Sequence, residues 1–216
     1  MHPRLGIIVP YRDRKENLAA FIPHMQRFFA EDELNKSIPV RMLVVEQTPG
    51  LIFNRGAIRN IGFKYLSADV DYVCFHDVDL VPVTADYRWP HVPAMIVFHG
   101  LQFSPEFIRQ LFGGVVVMQK QHFEAANGYS LAYWGWGYED VDLKERLFRC
   151  NLRPEHREGR FDTLPHVDEG TVDGAPTEAH LRNKELYTGL WFERIGSSWR
   201  RRSNPADAWK SEGLNS

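Results

Sequence analysis

Cysteine, net charge and long apolar runs are all scarce in this 216-residue chain. Its two cysteines, Cys74 and Cys150, lie far apart, which gives neither a disulfide framework nor a zinc-ligand spacing. The formal net charge is −2, and no basic stripe alternates with aromatics, so nucleic acid is not an expected partner. The apolar run Leu5-Gly6-Ile7-Ile8-Val9-Pro10 near the start is far too short to span a bilayer, and no cleavable signal precedes it. A soluble chain without a membrane span is expected. No glycine-rich phosphate cradle is present, which excludes a P-loop and a dinucleotide fingerprint. Internal repeats are lacking too. The length suits one domain with a real core.

The first half of the chain alternates between two hydrophobic patterns. Leu5 to Val9 is a continuous apolar run, as in a buried parallel strand. Lys15 to Phe29 has helical periodicity. Val40 to Val45 reads as a second strand, Asn54 as the cap of a helix reaching about Leu66, and Val70 to Phe75 as a third strand. This order predicts an α/β fold with a mostly parallel central sheet flanked by helices, and such sheets bind ligands at the carboxyl ends of their strands. Pro10-Tyr11-Arg12 and Asp77-Val78-Asp79 fall at two of those ends. Further on, Val92 to Phe98 and Gly114 to Met118 look like strands, and Glu139 to Arg149 and Thr177 to Tyr187 look like helices. Gly159 to Pro176 reads as a long loop. Residues 1–196 are expected to form the domain, and 197–216 a flexible polar tail.

Three groups of residues carry chemistry. Trp134-Gly135-Trp136-Gly137-Tyr138-Glu139-Asp140-Val141-Asp142 sets aromatic plates on glycine hinges ahead of three carboxylates. Aromatic faces stack on sugar rings, and a neighbouring carboxylate can take a proton from a sugar hydroxyl. The plainer reading is a turn leading into a helix whose first turn is acidic, as the macrodipole favours. Asp77-Val78-Asp79 offers hard oxygen donors at i and i+2, suited to a divalent ion that leaves room for phosphates, or simply ends a strand. Pro10-Tyr11-Arg12-Asp13-Arg14 and Phe53-Asn54-Arg55 supply an aromatic ring and guanidinium groups that can pair with phosphate; by itself the first segment reads rather as a surface loop with salt bridges to Asp13 and Glu16. His166, in the expected loop, is either solvated or completes a metal site with Asp79, a donor set that favours manganese over calcium.

Together these segments resemble the β-1,4-galactosyltransferase family of inverting, nucleotide-sugar-dependent enzymes with the GT-A fold. The family's Pro-Phe-Arg-Asn-Arg, Phe-Asn-Arg, Asp-Val-Asp, Phe-Gly-Gly and Trp-Gly-Trp-Gly-Gly-Glu-Asp-Asp-Asp correspond, in order, to Pro10–Arg14, Phe53–Arg55, Asp77–Asp79, Phe112–Gly114 and Trp134–Asp142. The resemblance implies a Rossmann-like GT-A domain that transfers galactose or N-acetylgalactosamine from a UDP-sugar to a glycan hydroxyl, forming a β-linkage. It implies that Asp79 and His166 hold manganese, or magnesium as the alternative. Pro10, Tyr11, Arg12, Arg14, Phe53, Arg55, Asp77, Val78, Asp79, Leu111, Gly114 and Trp136 would line the donor. Trp136, Tyr138, Glu139 and Asp140 would meet the acceptor, with Asp140 as catalytic base beside Glu139. Tyr138 replaces a family glycine and Val141 a family aspartate, both on the acceptor side. Leu111 replaces the tyrosine of galactose-transferring members, which makes room for an N-acetyl group.

The alternatives are a retaining GT-A transferase, distinguished by product configuration, and a non-catalytic carbohydrate-binding module, which would need no UDP–manganese. A phosphohydrolase has too few ligands in one Asp-x-Asp. A bacterial-type cytoplasmic enzyme, working at the inner membrane surface, is the expected location, or the Golgi lumen for a trimmed eukaryotic domain.

Overall fold

The computed structural model describes residues 2–99, 111–166, 170–203 and 208–214. Its centre is a seven-stranded sheet in the order β2-β1-β3-β6-β5-β7-β4. The strands are β1 (Leu5–Tyr11), β2 (Val40–Glu46), β3 (Tyr72–His76), β4 (Leu80–Ala85), β5 (Ala94–His99), β6 (Val115–Gln119) and β7 (Glu155–Thr163). The pairings run β2, β1, β3, β5 and β7 in one direction, with β6 and β4 opposed. This is a GT-A-like α/β sheet, mixed but mostly parallel.

Every residue of β1 is buried, and successive side chains serve opposite faces. Leu5, Ile7, Val9 and Tyr11 join Tyr72, Cys74, Val115 and Val117 in one apolar layer. Helix α1 (Lys15–Glu31) closes that layer with Phe21, Met25 and Phe28. Ile8, Val73, Phe75, Val116 and Met118 form the other layer. It is covered by α2 (Arg55–Leu66), α3 (Lys120–Ala125) and α4 (Glu139–Arg149), through residues such as Phe63, Phe123, Leu143 and Leu147. Asn54 caps α2 as expected, accepting from the Ala57 amide at 2.9 Å.

Two strands of the sheet lie outside the strands expected from sequence. Strand β4 follows β3 after a short turn. The second part of strand β7, from Gly159, falls in what reads as loop, because seven of the strand's nine residues face outward or only partly inward. Gly159 and Phe161 alone are buried there, so pairing with β5 and β4, rather than alternating hydrophobicity, defines it. The rest of that loop holds a short hairpin, β8 (Thr171–Val172) with β9 (Ala175–Pro176). Residues 167–169 of it lie outside the described residues. Helix α5 (Glu178–Trp191) runs beyond Tyr187, capped by Thr177 through the His180 amide at 3.3 Å.

The segment expected to be a flexible tail is partly seated. β10 (Phe192–Ile195) pairs antiparallel with β11 (Ser198–Arg201). Beyond residues 204–207, which are not described, comes the short helix α6 (Ala208–Ser211), whose Trp209 is buried. Glu212 then bonds Arg146 at 2.8 Å, and the Ser130 hydroxyl and Leu131 amide at 2.5 Å each. Arg146 is completely buried and already pairs with buried Asp142 at 2.7 Å. A second carboxylate helps hold a guanidinium that has no water around it.

Candidate active site

The carboxyl ends of β1, β3 and β7 lie at one edge of the sheet. The antiparallel strand β6 starts at that same edge, so Gly113 and Gly114 are there too. The Asp77 amide donates to the Gly114 carbonyl at 2.9 Å, and the Leu164 amide to the Asp79 carbonyl at 2.7 Å. The Asp77-Val78-Asp79 turn is thereby stapled to two segments remote in sequence. Val78 is buried in the first apolar layer.

Asp79 is 8 % exposed. Its Oδ2 lies 3.0 Å from His166 Nδ1 and 3.3 Å from Arg14 Nη1. Burial and the neighbouring Asp77 raise its pKa, while His166 and Arg14 pull the other way. Among the described residues no group of three or more His, Cys, Asp or Glu side chains forms a metal cage. Asp79 and His166 instead bring one oxygen and one nitrogen together. That donor set fits manganese if ligand oxygens complete the coordination.

Behind this pair is a web of two arginines and two acids. Arg55 Nη1 lies 3.3 Å from Glu139 Oε1 and 3.9 Å from Asp77 Oδ2. Arg59 Nη2 donates to Asp77 Oδ1 at 2.9 Å, and its Nη1 lies 3.6 Å from Glu139 Oε1. Burial would raise the Asp77 pKa, but Arg55 and Arg59 outweigh it and hold it below the usual range. Arg59 is 1 % exposed, with its guanidinium over the Tyr129 ring at 5.0 Å. Sequence reasoning misses it. The available signal is its position four residues after Arg55, one turn along the same helix face.

Asp140, the second residue of α4, lies against Gly113. A Cβ on Gly113 would collide with Asp140 Oδ2, so only glycine permits this approach. Asp140 Oδ1 accepts from the Val141 amide at 2.7 Å. A helix N-terminus by itself would keep this carboxylate ionised. Burial and the adjacent Glu139 prevail instead, and push its pKa up to about 7. Glu139 is 3 % exposed and faces the two arginines.

The aromatic loop is held from α5. Gly135, Gly137 and Tyr138 have φ of 82°, 95° and 76°, a left-handed run that costs little for glycine but is uncommon for a bulky residue such as tyrosine. Fully buried Asn183 donates to the carbonyls of Trp134, Trp136 and Gly137 at 3.1, 3.3 and 3.2 Å. The Trp136 ring stacks on His180, with centroids 4.9 Å apart and an interplanar angle of 24°. Tyr138 packs against His180 and Tyr187. Asn183 and His180 carry no sequence signal, because their role depends on α5 folding back over the loop.

The remaining expected donor residues divide. Arg12 donates to the Leu51 carbonyl at 2.7 Å and lies 5.0 Å over the Phe53 ring, so these two meet. Pro10 and Tyr11 are buried at the end of β1, and Tyr11, in the first apolar layer, shows little of its ring. Leu111 is half-buried against the second layer.

A family model described as the N-terminal region of glycosyl transferase group 7 matches residues 1–89. Another, described as the N-terminal domain of galactosyltransferase, matches residues 102–168. The chain is 31 % identical to Beta-1,4-galactosyltransferase 7 of Drosophila melanogaster over 85 % of its own length and 58 % of that protein's. To the Homo sapiens protein of that name it is 34 % identical, over 77 % of this chain and 51 % of the other. It thus spans little more than half the length of these relatives. A crystal structure of the catalytic domain of the Drosophila enzyme with xylobiose superposes with a TM-score of 0.70 at 28 % identity, covering 92 % of this chain and 82 % of that one. A mutant of that enzyme, in complex with manganese, UDP-Gal and xylobiose, aligns at 27 % identity over the same shares with the same TM-score.

Proposed function

Since this chain belongs to the β-1,4-galactosyltransferase family, we propose that it is a metal-dependent, inverting hexosyltransferase moving galactose from UDP-galactose to a sugar hydroxyl. One observation supports this above the rest: Asp140 and the Asp79–His166 pair lie at one edge of the sheet, joined through Gly113, Gly114 and Asp77. The relative solved with manganese, UDP-Gal and xylobiose supports the cofactor and the substrate class.

Asp79 and His166 would hold the divalent ion, which neutralises the departing diphosphate when bound. Arg14 stands beside them to meet phosphate oxygens, and Arg12 and Phe53 would frame the uridine side. Asp140 takes the proton of the acceptor hydroxyl as that oxygen bonds to the anomeric carbon. The bond from that carbon to the diphosphate oxygen breaks on the opposite face, and UDP leaves with the electron pair. Attack opposite the leaving group turns an α-linked donor into a β-linked product. A base whose pKa is near neutrality is well matched to this step. Trp136 and Tyr138 would stack on the acceptor and exclude water.

The donor sugar is the finer point. Leu111 in place of the family's tyrosine supports tolerance of an N-acetyl group, and so UDP-N-acetylgalactosamine as a second donor. A cytoplasmic location belongs to the same proposal; the free thiols of Cys74 and Cys150 are compatible with a reducing compartment. Among the described residues no helix is long and apolar enough to cross a membrane.

The test is a screen of UDP-sugars with manganese against a glycan array, with product configuration read by NMR. Manganese-dependent β-transfer from UDP-galactose is expected. An α-linked product would favour the retaining alternative, and failure to bind UDP with manganese would favour a binding module.

A further inference from the structure

Away from the transfer site, positive charge gathers in one place. A cavity of about 460 Å³ lies between the C-terminal half of α4 and β11. Arg149, Arg153, Arg201 and Arg202 line it against a single carboxylate, Glu145. Arg201 Nη2 donates to Glu145 Oε1 at 2.8 Å, while Glu145 Oε2 has no hydrogen-bond partner among the described residues. The other three donate only to backbone carbonyls. Arg149 reaches Ser203 at 2.7 Å, Arg153 reaches Phe148 at 3.2 Å, and Arg202 reaches Gly189 at 3.3 Å. Phe148 forms the floor, with the Arg153 and Arg201 guanidinium groups 5.3 and 5.6 Å from its ring centroid. Arg149 also feels the Glu145 charge, which leaves Arg153 and Arg202 without an acid partner among the described residues: four guanidinium groups share one carboxylate, on a chain whose net charge is −2.

The cavity is connected to the aromatic loop. Arg149 ends α4 about 13 Å along the axis from Asp140 and on the opposite face of the helix, so the link runs through α5. The Tyr187 hydroxyl donates to Glu145 Oε1 at 3.3 Å. The Tyr187 ring lies 5.4 Å from Tyr138 and 5.7 Å from Phe192. Tyr138 and Tyr187 thus lie in contact between the aromatic loop and the Glu145 wall of the cavity, and aromatic faces are what a sugar chain rests on.

We propose that this cavity is an anion subsite for the acceptor, taking the carboxylate of an acidic sugar a few residues away from the hydroxyl that reacts. Guanidinium forks match a carboxylate bidentately. A compact pocket in line with the aromatic path suits one acidic group on a glycan better than it suits an extended polyanion. The inference rests on the transferase reading for its position along the acceptor. Its binding component is testable without turnover.

Calorimetry with a trigalacturonate and with a neutral xylotriose tests the binding. The acidic sugar should bind more tightly. Arg153→Gln combined with Arg202→Gln should weaken trigalacturonate about tenfold, two contacts at the strength of exposed pairs, while Arg153→Lys alone should keep most of the affinity. Equal binding of the two sugars, or an unchanged affinity in the double variant, would overturn the subsite. So would sedimentation with phosphatidylglycerol vesicles that trigalacturonate fails to displace, which would mark a lipid surface. In transfer assays the acidic-to-neutral KM ratio should move toward unity in the double variant with kcat little changed. Transfer to neutral and acidic acceptors with one KM would refute the subsite alone. Tight trigalacturonate binding with no UDP-sugar turnover on any acceptor would count against the transferase reading and leave the subsite standing.

Discussion

Replacing Asp140 by Asn should make the protein inactive and more stable at once. The Asp140 carboxyl has its pKa moved from 3.8 up to about 7, first by burial and then by the charge of Glu139. A displacement of that size corresponds to about 4 kcal/mol at most, and partial solvent access screens it to about 2 kcal/mol. The sign follows from proton counting. Between about pH 4 and about pH 7 the folded chain keeps a proton that the unfolded chain has lost, so this group's contribution to stability falls as pH rises through that window. Above it, wild type carries the full cost of a buried carboxylate. Asn is neutral throughout. The variant should therefore melt about 5 °C higher at pH 8, at 2–4 °C for each kcal/mol in a chain of roughly this size, and the gap should close toward pH 4. Loss of the base should lower kcat about a thousandfold. Wild-type kcat/KM should rise with pH through about 7 as the proton leaves. Differential scanning fluorimetry across pH, with UDP release as the activity assay, reads both effects. A variant less stable at pH 8, a melting gap independent of pH, or kcat within tenfold of wild type would refute the reasoning.

Two other perturbations probe the same site. Asp79→Ala removes one of the two donors and should weaken manganese-dependent UDP binding by at least about tenfold; calorimetry showing unchanged affinity would remove Asp79 from that role. Arg59→Met leaves Asp77 and Glu139 with Arg55 alone and should cost about 3 kcal/mol, the usual penalty for breaking a buried ion pair from one side. Thermal melting close to wild type would show that Arg55 suffices.

Much of the fold can be read along the chain where local signals are strong. Strand β1 is apolar at nearly every position because both of its faces are covered, and Asn54 announces α2 because an amide oxygen there satisfies an orphan helix amide. Where neighbours in space define an element, the reading fails. Strand β7 is mostly polar and exists through its ladders to β5 and β4. Glu212 looks like part of a polar tail until Arg146, sealed in the interior, supplies the reason for it to dock. Asn183 is unremarkable until α5 brings it under the carbonyls of the aromatic loop.

The order of the motifs, the apolar strands and the identity of the acid, base and cation-ligating types are properties of residues and their spacing, so the amino-acid sequence alone determined the family and the class of chemistry. The contact between Asp79 and His166, the clamp of Arg59 and the near-neutral pKa of Asp140 are decided by the tertiary structure. Desolvation and Coulomb energy depend on distances between segments more than 80 positions apart, and no local pattern encodes those distances.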